Sequence, residues 1–537
     1  MTSPPIQGVF RTDARARAAY AEGAGIYRII PAAVCLPADT DDLVRLVRWA
    51  TAEGLALVPR GAGSAMGGGN VGSGVIVDLT RLRDRPLAVS PGTRTARAGA
   101  QVTLAELNAA AAPHGLRLPP DPSSGRWATL GGMLSTNAAG ARTVRYGSVR
   151  RWVSAVEMVT SDGEVARLER GAPSPAAAAL TRLERDVRPA AVAAAAAIAG
   201  RFPHTRKNSS GYALDAWLAS GDALDLVVGG EGTLGFVTAA EWRLDLAPGS
   251  TAALRISLPT LDALGEVVSE LLRHAPSAVE LLDRTFLDLV GRVDGAADGA
   301  EAMLLVEIEG ADARAAAATA RTAGAAVRHL ALAVETALSD ADILRLWAIR
   351  HAASPILASL PEDRRSLQVI EDGCVPVDRL GDYVRAVRRA AAARGLDVVL
   401  FGHAGDGHLH ANLLPELARP GWEARVASLL EEVTAEVIRL GGTTSGEHGD
   451  GRLRAPFAGQ LFGEEIVALF RGVKTAFDPH GIFNPGVILG TAPPIAALKA
   501  GAGAAPLPPD IAAALRGIER RGGYDRLRME IADAARD

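Results

Sequence analysis

Residues 60–74 read RGAGSAMGGGNVGSG and hold seven glycines between two apolar runs, LALVP at 55–59 and GVIVDL at 74–79. The apolar runs predict buried strands, and the glycines let backbone N–H groups turn toward a phosphate and approach it closely. The spacing excludes two common phosphate loops, since Met66 stands where a Rossmann fingerprint needs its third glycine and no GxxxxGK[ST] sequence occurs. Taken alone, this loop fits a flexible turn as well as a binding site.

Two later segments share this composition of glycine and small polar residues. They are LPPDPSSGRWATLGGMLSTNAAGARTVRYGSVRRWV at 118–153 and GGEGTLGFVT at 229–238, the latter after the apolar run DLVV. Three such segments within roughly 180 residues predict a large, extended ligand that carries phosphate. Together they favour a binding function for the first half of the chain.

Local signals divide this half into helices and strands. Thr40 is a residue type favoured at an N-cap and Gly54 one favoured at a helix stop, which predicts a helix between them. Thr103 and Glu106 have capping-box spacing and predict a second helix start. The run VSAVEMVTSDGEVARL at 153–168 predicts a hairpin that turns at its SDG sequence.

Beyond residue 250 predicted helices and strands alternate, as in an α+β layer. The predicted elements are helix 261–274, strand 303–310, helix 312–326, strand 367–372, helix 377–394, strand 397–401, and helices 421–440 and 464–475. The segment from Gly490 onward is rich in alanine and proline and then charged. This composition predicts a linker with a terminal helix and favours an exposed tail.

Composition bounds the class of protein. A chain of 537 residues with 48% apolar and 22% charged residues is expected to form two or three well-packed domains. A net charge of −4 gives no electrostatic reason to expect nucleic acid as a partner. Three of the 57 basic residues are lysines and the rest arginines, which we attribute to codon bias.

Cysteine usage and hydropathy add further exclusions. The chain has two cysteines, Cys35 and Cys374, so a disulfide framework is not expected and an iron–sulfur cluster cannot be built from this chain alone. The N-terminal residues lack the apolar core of a signal peptide, and no window approaches the ~18 apolar residues of a membrane span. We therefore expect a cytoplasmic protein without a membrane span.

The glycine-rich segments carry a resemblance to a known family. PRGAGS, PPDPSS, ATLGGMLSTNAAG, RYG and GGEGTLGFVT, in this order, resemble the FAD-binding domain of the vanillyl-alcohol oxidase (PCMH-type) superfamily over roughly 25–245. The resemblance implies that the FAD pyrophosphate is held by Arg60, Gly61, Ala62, Gly63 and Ser64. It implies that the flavin is lined by Pro120, Ser123, Thr129, Gly132, Ser135, Asn137 and Gly140, and that the adenosine half contacts Glu231, Gly232 and Val237. Covalent attachment in this superfamily commonly uses a histidine in the first loop, where this chain has Ser64, so non-covalent FAD is expected.

The second half is similar to the C-terminal domain of the FAD-linked D-2-hydroxyacid dehydrogenases, which include glycolate oxidase flavin subunits, D-lactate dehydrogenases and D-2-hydroxyglutarate dehydrogenases. The matching motifs are AVELLDR, LLVEIEG, LWAIRHAASP, EDGCVP, GHAGDGHLHANL, SGEHGDGRLR and FDPHGIFNPGVIL. The resemblance implies an α+β fold class, with a PCMH-type FAD-binding domain of two α+β subdomains and a ferredoxin-like α+β cap domain for the substrate. The expected divisions are an N-terminal segment 1–30, the FAD-binding domain 31–248, the cap domain 249–490 and a C-terminal tail 491–537.

Four of the ten histidines lie in two short loops, HAGDGHLHAN at 403–412 and GEHGDGRLR at 446–454. A single loop histidine is more often hydrogen-bonded than a metal ligand, but His403, His410 and Glu447 together form a His₂-carboxylate set that leaves a coordination position open. A divalent ion there, with Zn²⁺ expected, would polarise a substrate hydroxyl. In the family these three are the metal ligands.

The resemblance also assigns the remaining catalytic positions. It makes His448 the base that takes the hydroxyl proton, and Arg350 the cation for the substrate carboxylate, which suits its bidentate fork. Asn412, two residues from His410 on the next predicted strand, is expected to orient the substrate. Asn484 is expected to reach back to the flavin. His408 receives no role beyond support of its neighbours.

The sequence therefore predicts an FAD-dependent D-2-hydroxyacid dehydrogenase that passes hydride to flavin N5. Its electrons would leave to a separate acceptor: an iron–sulfur protein, a cytochrome, an electron-transfer flavoprotein or a quinone. D-lactate, glycolate and D-2-hydroxyglutarate stay open as substrates, since Arg364 and Arg365 are only candidate cations for a distal carboxylate. The sequence is also compatible with a homodimer. The alternatives are a non-redox flavoenzyme like alkylglycerone-phosphate synthase and a non-catalytic FAD-binding subunit of a larger oxidase.

Overall fold

The computed structural model describes residues 2–291, 299–524 and 527–534. It confirms the α+β class, with helices and strands mixed along the whole described chain. The strands are β1 (Val9–Arg11), β2 (Ala33–Leu36), β3 (Leu57–Arg60), β4 (Val75–Asp78), β5 (Ala88–Ser90), β6 (Thr95–Gly99), β7 (Leu116–Arg117), β8 (Val153–Val159), β9 (Val165–Glu169), β10 (Phe236–Arg243), β11 (Asp245–Leu246), β12 (Ser250–Leu258), β13 (Ala278–Asp283), β14 (Ala302–Gly310), β15 (Ala333–Ala337), β16 (Leu367–Cys374), β17 (Asp397–His403) and β18 (His408–Leu414).

The helices range from single turns to five turns in length. They are α1 (Ala14–Ala19), α2 (Thr40–Glu53), α3 (Leu104–Ala111), α4 (Leu130–Ser135), α5 (Thr143–Tyr146), α6 (Ala178–Arg182), α7 (Arg188–Ala193), α8 (Ala195–Arg201), α9 (Leu214–Ser220), α10 (Leu224–Val227), α11 (Leu264–Leu272), α12 (Arg284–Val290), α13 (Ala313–Val327), α14 (Asp340–Ser359), α15 (Leu380–Ala393), α16 (Trp422–Arg439), α17 (Ala458–Phe462), α18 (Glu464–Phe477), α19 (Pro509–Arg521) and α20 (Arg528–Asp533). Within the described ranges, none of these helices combines the length and apolarity that a membrane crossing requires.

The first half of the described chain contains a four-stranded sheet, a five-stranded sheet and a short pair of β7 with β11. A four-stranded sheet has the order β1-β2-β4-β3, in which β4 runs parallel to both of its neighbours. The strands predicted at 55–59 and 74–79 are β3 and β4, so the glycine-rich loop connects two adjacent parallel strands. Helix α2 covers this sheet with Leu46 and Val47, and its N-cap is Asp39 rather than the predicted Thr40. The Asp39 carboxylate accepts the N–H of Asp42, which satisfies a helix-end donor.

A five-stranded antiparallel sheet with the order β5-β6-β10-β8-β9 lies next along the chain. Strands β8 and β9 form the hairpin predicted at 153–168. The capping box predicted at Thr103 is present, because its hydroxyl accepts from the N–H of Glu106 while the Glu106 carboxylate accepts from the N–H of Thr103. Helix α4 packs on this sheet through Leu130 and Leu134. This second core positions the helix that borders the glycine loop.

A seven-stranded antiparallel sheet forms most of the second half, with the order β15-β12-β14-β13-β17-β18-β16. Alternate residues of a strand point to opposite faces. Leu281 and Leu400 pack in the core with helices α11, α13, α15 and α16, while Leu282 and Phe401 pack on the other face with α12 and α14. Polar residues that lie an even number of positions from Phe401 on its strand therefore share its face, opposite helices α11, α13, α15 and α16.

The C-terminal segment is packed, whereas its composition favoured an exposed tail. Helices α19 and α20 lie against α1, and Ile511, Leu515 and Ile518 are buried. These three residues recur at helical spacing and form one apolar stripe. The stripe is present in the sequence, but the alanine and proline around it lower the contrast with a disordered segment.

We expect Ile511→Asn to release this segment, because an unpaired amide in place of a fully buried side chain costs about 2–5 kcal/mol. Limited proteolysis followed by mass spectrometry should then cut the variant between residues 491 and 510 faster than the parent. Ala513→Asn, on the exposed face of the same helix, is the matched control. Equal cleavage rates for Ile511→Asn and the parent would contradict the packing.

Candidate active site

A single cavity of about 860 Å³ brings both sets of predicted residues together. Its volume is within the range of ligand sites and suits an extended ligand. From the first half its wall includes Arg60, Gly61, Ala62, Gly63, Ser64, Ser123, Thr129, Gly132, Ser135, Glu231, Gly232 and Val237. From the second half its wall includes Arg350, His403, His410, Asn412, Glu447 and His448.

The wall formed by the glycine loop and its neighbours has no room for side chains at several glycine positions. A Cβ on Gly61 would lie 2.3 Å from the Thr129 hydroxyl, and one on Gly232 would lie 2.1 Å from the Pro59 ring. Gly63 has a φ of +82°, which an L side chain rarely adopts. The backbone can approach a ligand closely here because these positions lack side chains, so the residues present fit a bound pyrophosphate.

Several residues predicted to touch the flavin support the wall from behind instead. Pro120, Asn137, Gly140 and Asn484 do not line the cavity. The Asn484 amide donates to the backbone oxygens of Gly69 at 2.8 Å and Glu231 at 2.9 Å, which consumes its donors and ties two loops together. The Asn137 side chain accepts the N–H of Arg150.

Arg60 contributes to the wall, but its guanidinium is bonded to backbone oxygen atoms of the N-terminal segment and of the glycine loop itself. It donates to the backbone oxygens of Tyr20, Glu22 and Asn70, with the shortest contact 2.8 Å to Glu22. Burial lowers the pKa of Arg60. Its side chain therefore holds the N-terminal segment, and the backbone of the loop is what faces the cavity.

Two imidazoles and a carboxylate converge on the part of the cavity wall that the second half contributes. His403 Nε2 lies 3.3 Å from His410 Nε2 and 3.4 Å from Glu447 Oε1, and His410 Nε2 lies 3.5 Å from the same oxygen. Ligands about 2.0–2.1 Å from a tetrahedral Zn²⁺ would be spaced about 3.3–3.4 Å apart. The donor set and its spacing therefore fit one divalent cation.

Both imidazoles are oriented by their other nitrogen. His403 Nδ1 donates to Glu280 Oε1 at 2.5 Å, and His410 Nδ1 donates to the backbone oxygen of Glu371 at 2.6 Å. Each Nε2 lone pair then faces the cavity, as in metal sites whose histidines are held by carboxylates or carbonyls. Burial lowers the pKa of His403, but Glu280 and Glu447 outweigh it and raise that pKa to about 9 in the metal-free site.

His448 is paired with an acid that the sequence did not single out. Its Nδ1 donates to Glu371 Oε2, which leaves Nε2 directed toward the cavity, 3.6 Å from Glu447 Oε1. Burial lowers the pKa of His448, whereas Glu371 and Asp372 raise it, to about 10 without a metal. A cation bound beside His448 would favour the neutral ring, which can then take up a proton at Nε2 and keep the resulting charge paired.

The two residues expected to bind the substrate each have a hydrogen-bond partner in the protein and also line the cavity. Arg350 donates to Glu280 Oε2 at 2.8 Å and stacks over the Phe401 ring, with its guanidinium at the cavity wall. Asn412 accepts a hydrogen bond from Ser366 at 3.1 Å and also lines the cavity. Both can contact a small ligand beside the two imidazoles.

The two arginines considered for a distal carboxylate are committed elsewhere. Arg364 pairs with Asp397 on the surface, and Arg365 pairs with Glu519 of helix α19 at 2.5 Å. Neither lines the cavity. An acid with a second carboxylate would need another cation.

Lys207 is a further site residue that the sequence did not assign. Its buried amine donates to Glu447 Oε2 at 2.8 Å and to the backbone oxygen of Gly140 at 3.0 Å. Burial opposes the charge, but Glu447 and Asp406 more than offset it and raise the pKa of the amine. The sequence feature that could have indicated Lys207 is its residue type, because lysine is rare in this arginine-dominated chain.

The metal-free protein should lose stability as the pH rises above the ordinary histidine pKa of 6.5. The folded pKa values of His403 and His448 are raised to about 9 and about 10, so the folded state binds protons that the unfolded chain has released. This stabilisation is complete below pH 6.5 and is lost as the pH rises from 6.5 through about 9 and about 10. The thermal unfolding midpoint, measured against pH, should fall.

The same measurement of the unfolding midpoint against pH on two variants shows whether the cavity histidines cause the effect. His448→Asn should flatten the pH slope, while His329→Asn, at an exposed position outside the cavity, should keep it. A midpoint that stays constant between pH 6.5 and about 9 would contradict the charge assignment.

Comparisons with known proteins find matches to both halves of the chain. Residues 247–488 match the family described as FAD linked oxidases, C-terminal domain, and residues 31–169 match an FAD binding domain. A D-lactate dehydrogenase of Archaeoglobus fulgidus is 31% identical over 463 residues, covering 85% of this chain and 91% of that protein. The glycolate oxidase subunit GlcD of Bacillus subtilis is 29% identical over 465 residues, covering 86% of this chain and 89% of that protein.

A solved structure of alkyldihydroxyacetonephosphate synthase superposes with a TM-score of 0.60 at 16% identity, covering 89% of this chain and 83% of that one. At this identity the likeness concerns the fold alone. It agrees with the PCMH-type FAD-binding fold expected from the sequence.

Proposed function

Because this chain belongs to the FAD-linked oxidase family, with relatives named as dehydrogenases and oxidases, we propose that it oxidises a small D-2-hydroxyacid to the 2-oxo acid. The observation that carries this proposal is the convergence of His403 Nε2, His410 Nε2 and Glu447 Oε1 within 3.3–3.5 Å in the cavity that also contains the glycine loop. A hydride acceptor and a cation that binds alkoxide would then face one substrate.

Two groups would supply chemistry that side chains cannot. FAD would be held non-covalently by the loop Gly61–Ser64 and the segments around Thr129 and Glu231, and it would supply a two-electron hydride acceptor. A divalent cation would be held by His403, His410 and Glu447, a donor set that suits Zn²⁺, and it would supply a Lewis acid for the substrate hydroxyl.

The side chains of the chain position the acid and take its proton. The Arg350 guanidinium offers a fork for the substrate carboxylate, and Asn412 orients the group at C2. His448 Nε2 accepts the hydroxyl proton, and Glu371 stabilises the imidazolium that results. One proton on His448 and one hydride removed from C2 convert the alcohol to the ketone.

Domain division and electron transfer follow from the same proposal. We assign FAD binding to residues 31–248 and the metal and substrate groups to 249–490. Both cysteines, Cys35 and Cys374, are buried and too few for a cluster, so the electrons leave to a separate acceptor of the iron–sulfur, cytochrome, flavoprotein or quinone class.

We expect one D-2-hydroxyacid to reduce the bound flavin in the absence of oxygen. D-lactate, glycolate and D-2-hydroxyglutarate are mixed anaerobically with the FAD-loaded protein, and the flavin absorbance near roughly 450 nm is followed. L-lactate and L-2-hydroxyglutarate serve as matched controls for the two chiral acids. A flavin that all of these acids leave oxidised refutes the proposal, and a flavin that forms a substrate adduct without release of electrons to a dye acceptor indicates non-redox chemistry.

We expect His448→Ala to lower kcat by about 10²- to 10⁴-fold, because the hydroxyl proton loses its acceptor. FAD content and Zn²⁺ content should stay unchanged, since His448 is assigned to neither group. His329→Ala is the control for histidine removal outside the cavity. The assignment fails if steady-state turnover of the His448 variant with a dye acceptor matches that of the parent.

A further inference from the structure

His408 is buried next to the proposed metal ligands, and one of its ring nitrogens is without a partner. The residue is 0% exposed, and its Nε2 lies 2.8 Å from Asp372 Oδ1. That carboxylate only accepts hydrogen bonds, so Nε2 carries the proton and Nδ1 of the neutral ring carries a lone pair. Across the described residues, no donor reaches Nδ1.

The unpartnered nitrogen is directed at the proposed metal ligands. It lies 4.0 Å from Glu447 Oε2, and the His408 ring centroid is 4.6 Å from that of His410 and 5.4 Å from that of His403. The ligand atoms of these four residues all lie within 4.8 Å of one another. One cation among them is thus within reach of every one after small side-chain adjustments.

Lys207, a buried cation beside the same carboxylate, does not serve as the partner of His408. The Lys207 amine donates to Gly140 and Glu447, and it forms an ion pair with Asp406 Oδ2 at 3.4 Å. None of its hydrogen bonds therefore reaches His408. By holding Glu447 Oε2, Lys207 also leaves Oε1 as the oxygen available to a metal.

We propose that His408 Nδ1 is an additional protein ligand of the divalent cation, which gives three imidazole nitrogens and one carboxylate oxygen, so that a substrate hydroxyl would add as a fifth ligand. The inference rests on the proposed function only in requiring that a cation binds at His403, His410 and Glu447. Nitrogen-rich sites favour Zn²⁺ over Mg²⁺ and Mn²⁺, which prefer oxygen ligands. His408 therefore determines which class of metal this chain selects.

The test counts imidazoles around the ion and measures its affinity. The FAD-containing protein is stripped with a chelator and reloaded with Zn²⁺, and X-ray absorption at the zinc edge is recorded. We expect three imidazoles in the parent and two in His408→Asn. Chelator competition should show a Zn²⁺ Kd at least tenfold higher in the variant, with a smaller change for Mn²⁺ because asparagine offers an oxygen.

Two further variants serve as the negative and the positive control. His329→Asn should match the parent, and His403→Asn should lose a proposed ligand and bind Zn²⁺ weakly. Two imidazoles in the parent, or an unchanged Kd in His408→Asn, overturn the inference and leave the metal site intact. Zn²⁺ binding that His403→Asn does not weaken overturns the metal site itself. The imidazole count of the parent decides the matter even if His408→Asn fails to fold.

Discussion

The loop that carries Glu447 and His448 is held in place by the carboxylate of Asp372, which is fully buried on strand β16. It accepts the backbone N–H groups of Glu447 at 3.1 Å and His448 at 2.9 Å, the hydroxyl of Ser445, and the ring N–H of His408. Burial disfavours its charge, but the positive groups of His448 and Arg454 outweigh this and hold the pKa of Asp372 well below its usual range. One anion thereby fixes the loop against the strand that faces it.

Charge balance explains why this cluster fits a cation. The buried carboxylates are those of Glu280, Glu371, Asp372, Asp406 and Glu447. The permanent cations paired with them are Arg350, Arg454, Lys207 and the exposed Arg206, which lies 3.9 Å from Asp406. Buried charges are costly unless paired, so the surplus of negative charge is offset either by protonated histidines or by a metal ion. Raised histidine pKa values in the metal-free protein and metal binding are two responses to the same surplus.

Strand geometry delivers the ligands to one place. Glu280 and His403 are paired across β13 and β17, and Phe401 is paired with His410 across β17 and β18, so alternate residues face the cavity together. Strand β16 departs from regular register between Ile370 and Gly373. Such a bulge re-aims side chains, and here neighbouring acids, Glu371 and Asp372, both serve the site.

The sequence by itself determined the α+β class, the glycine-loop strands β3 and β4, and a family whose motifs contain His403, His410 and Glu447, because these depend on local pattern and on short motifs. Tertiary structure alone decided which residues hold those ligands. Lys207 and Glu447 are 240 positions apart, and Glu280 and His403 are 123 apart. It also decided that Asn484 ties loops together and that the C-terminal segment packs. No local pattern encodes such partners, since buried polar groups are satisfied by whatever the fold brings within hydrogen-bond distance.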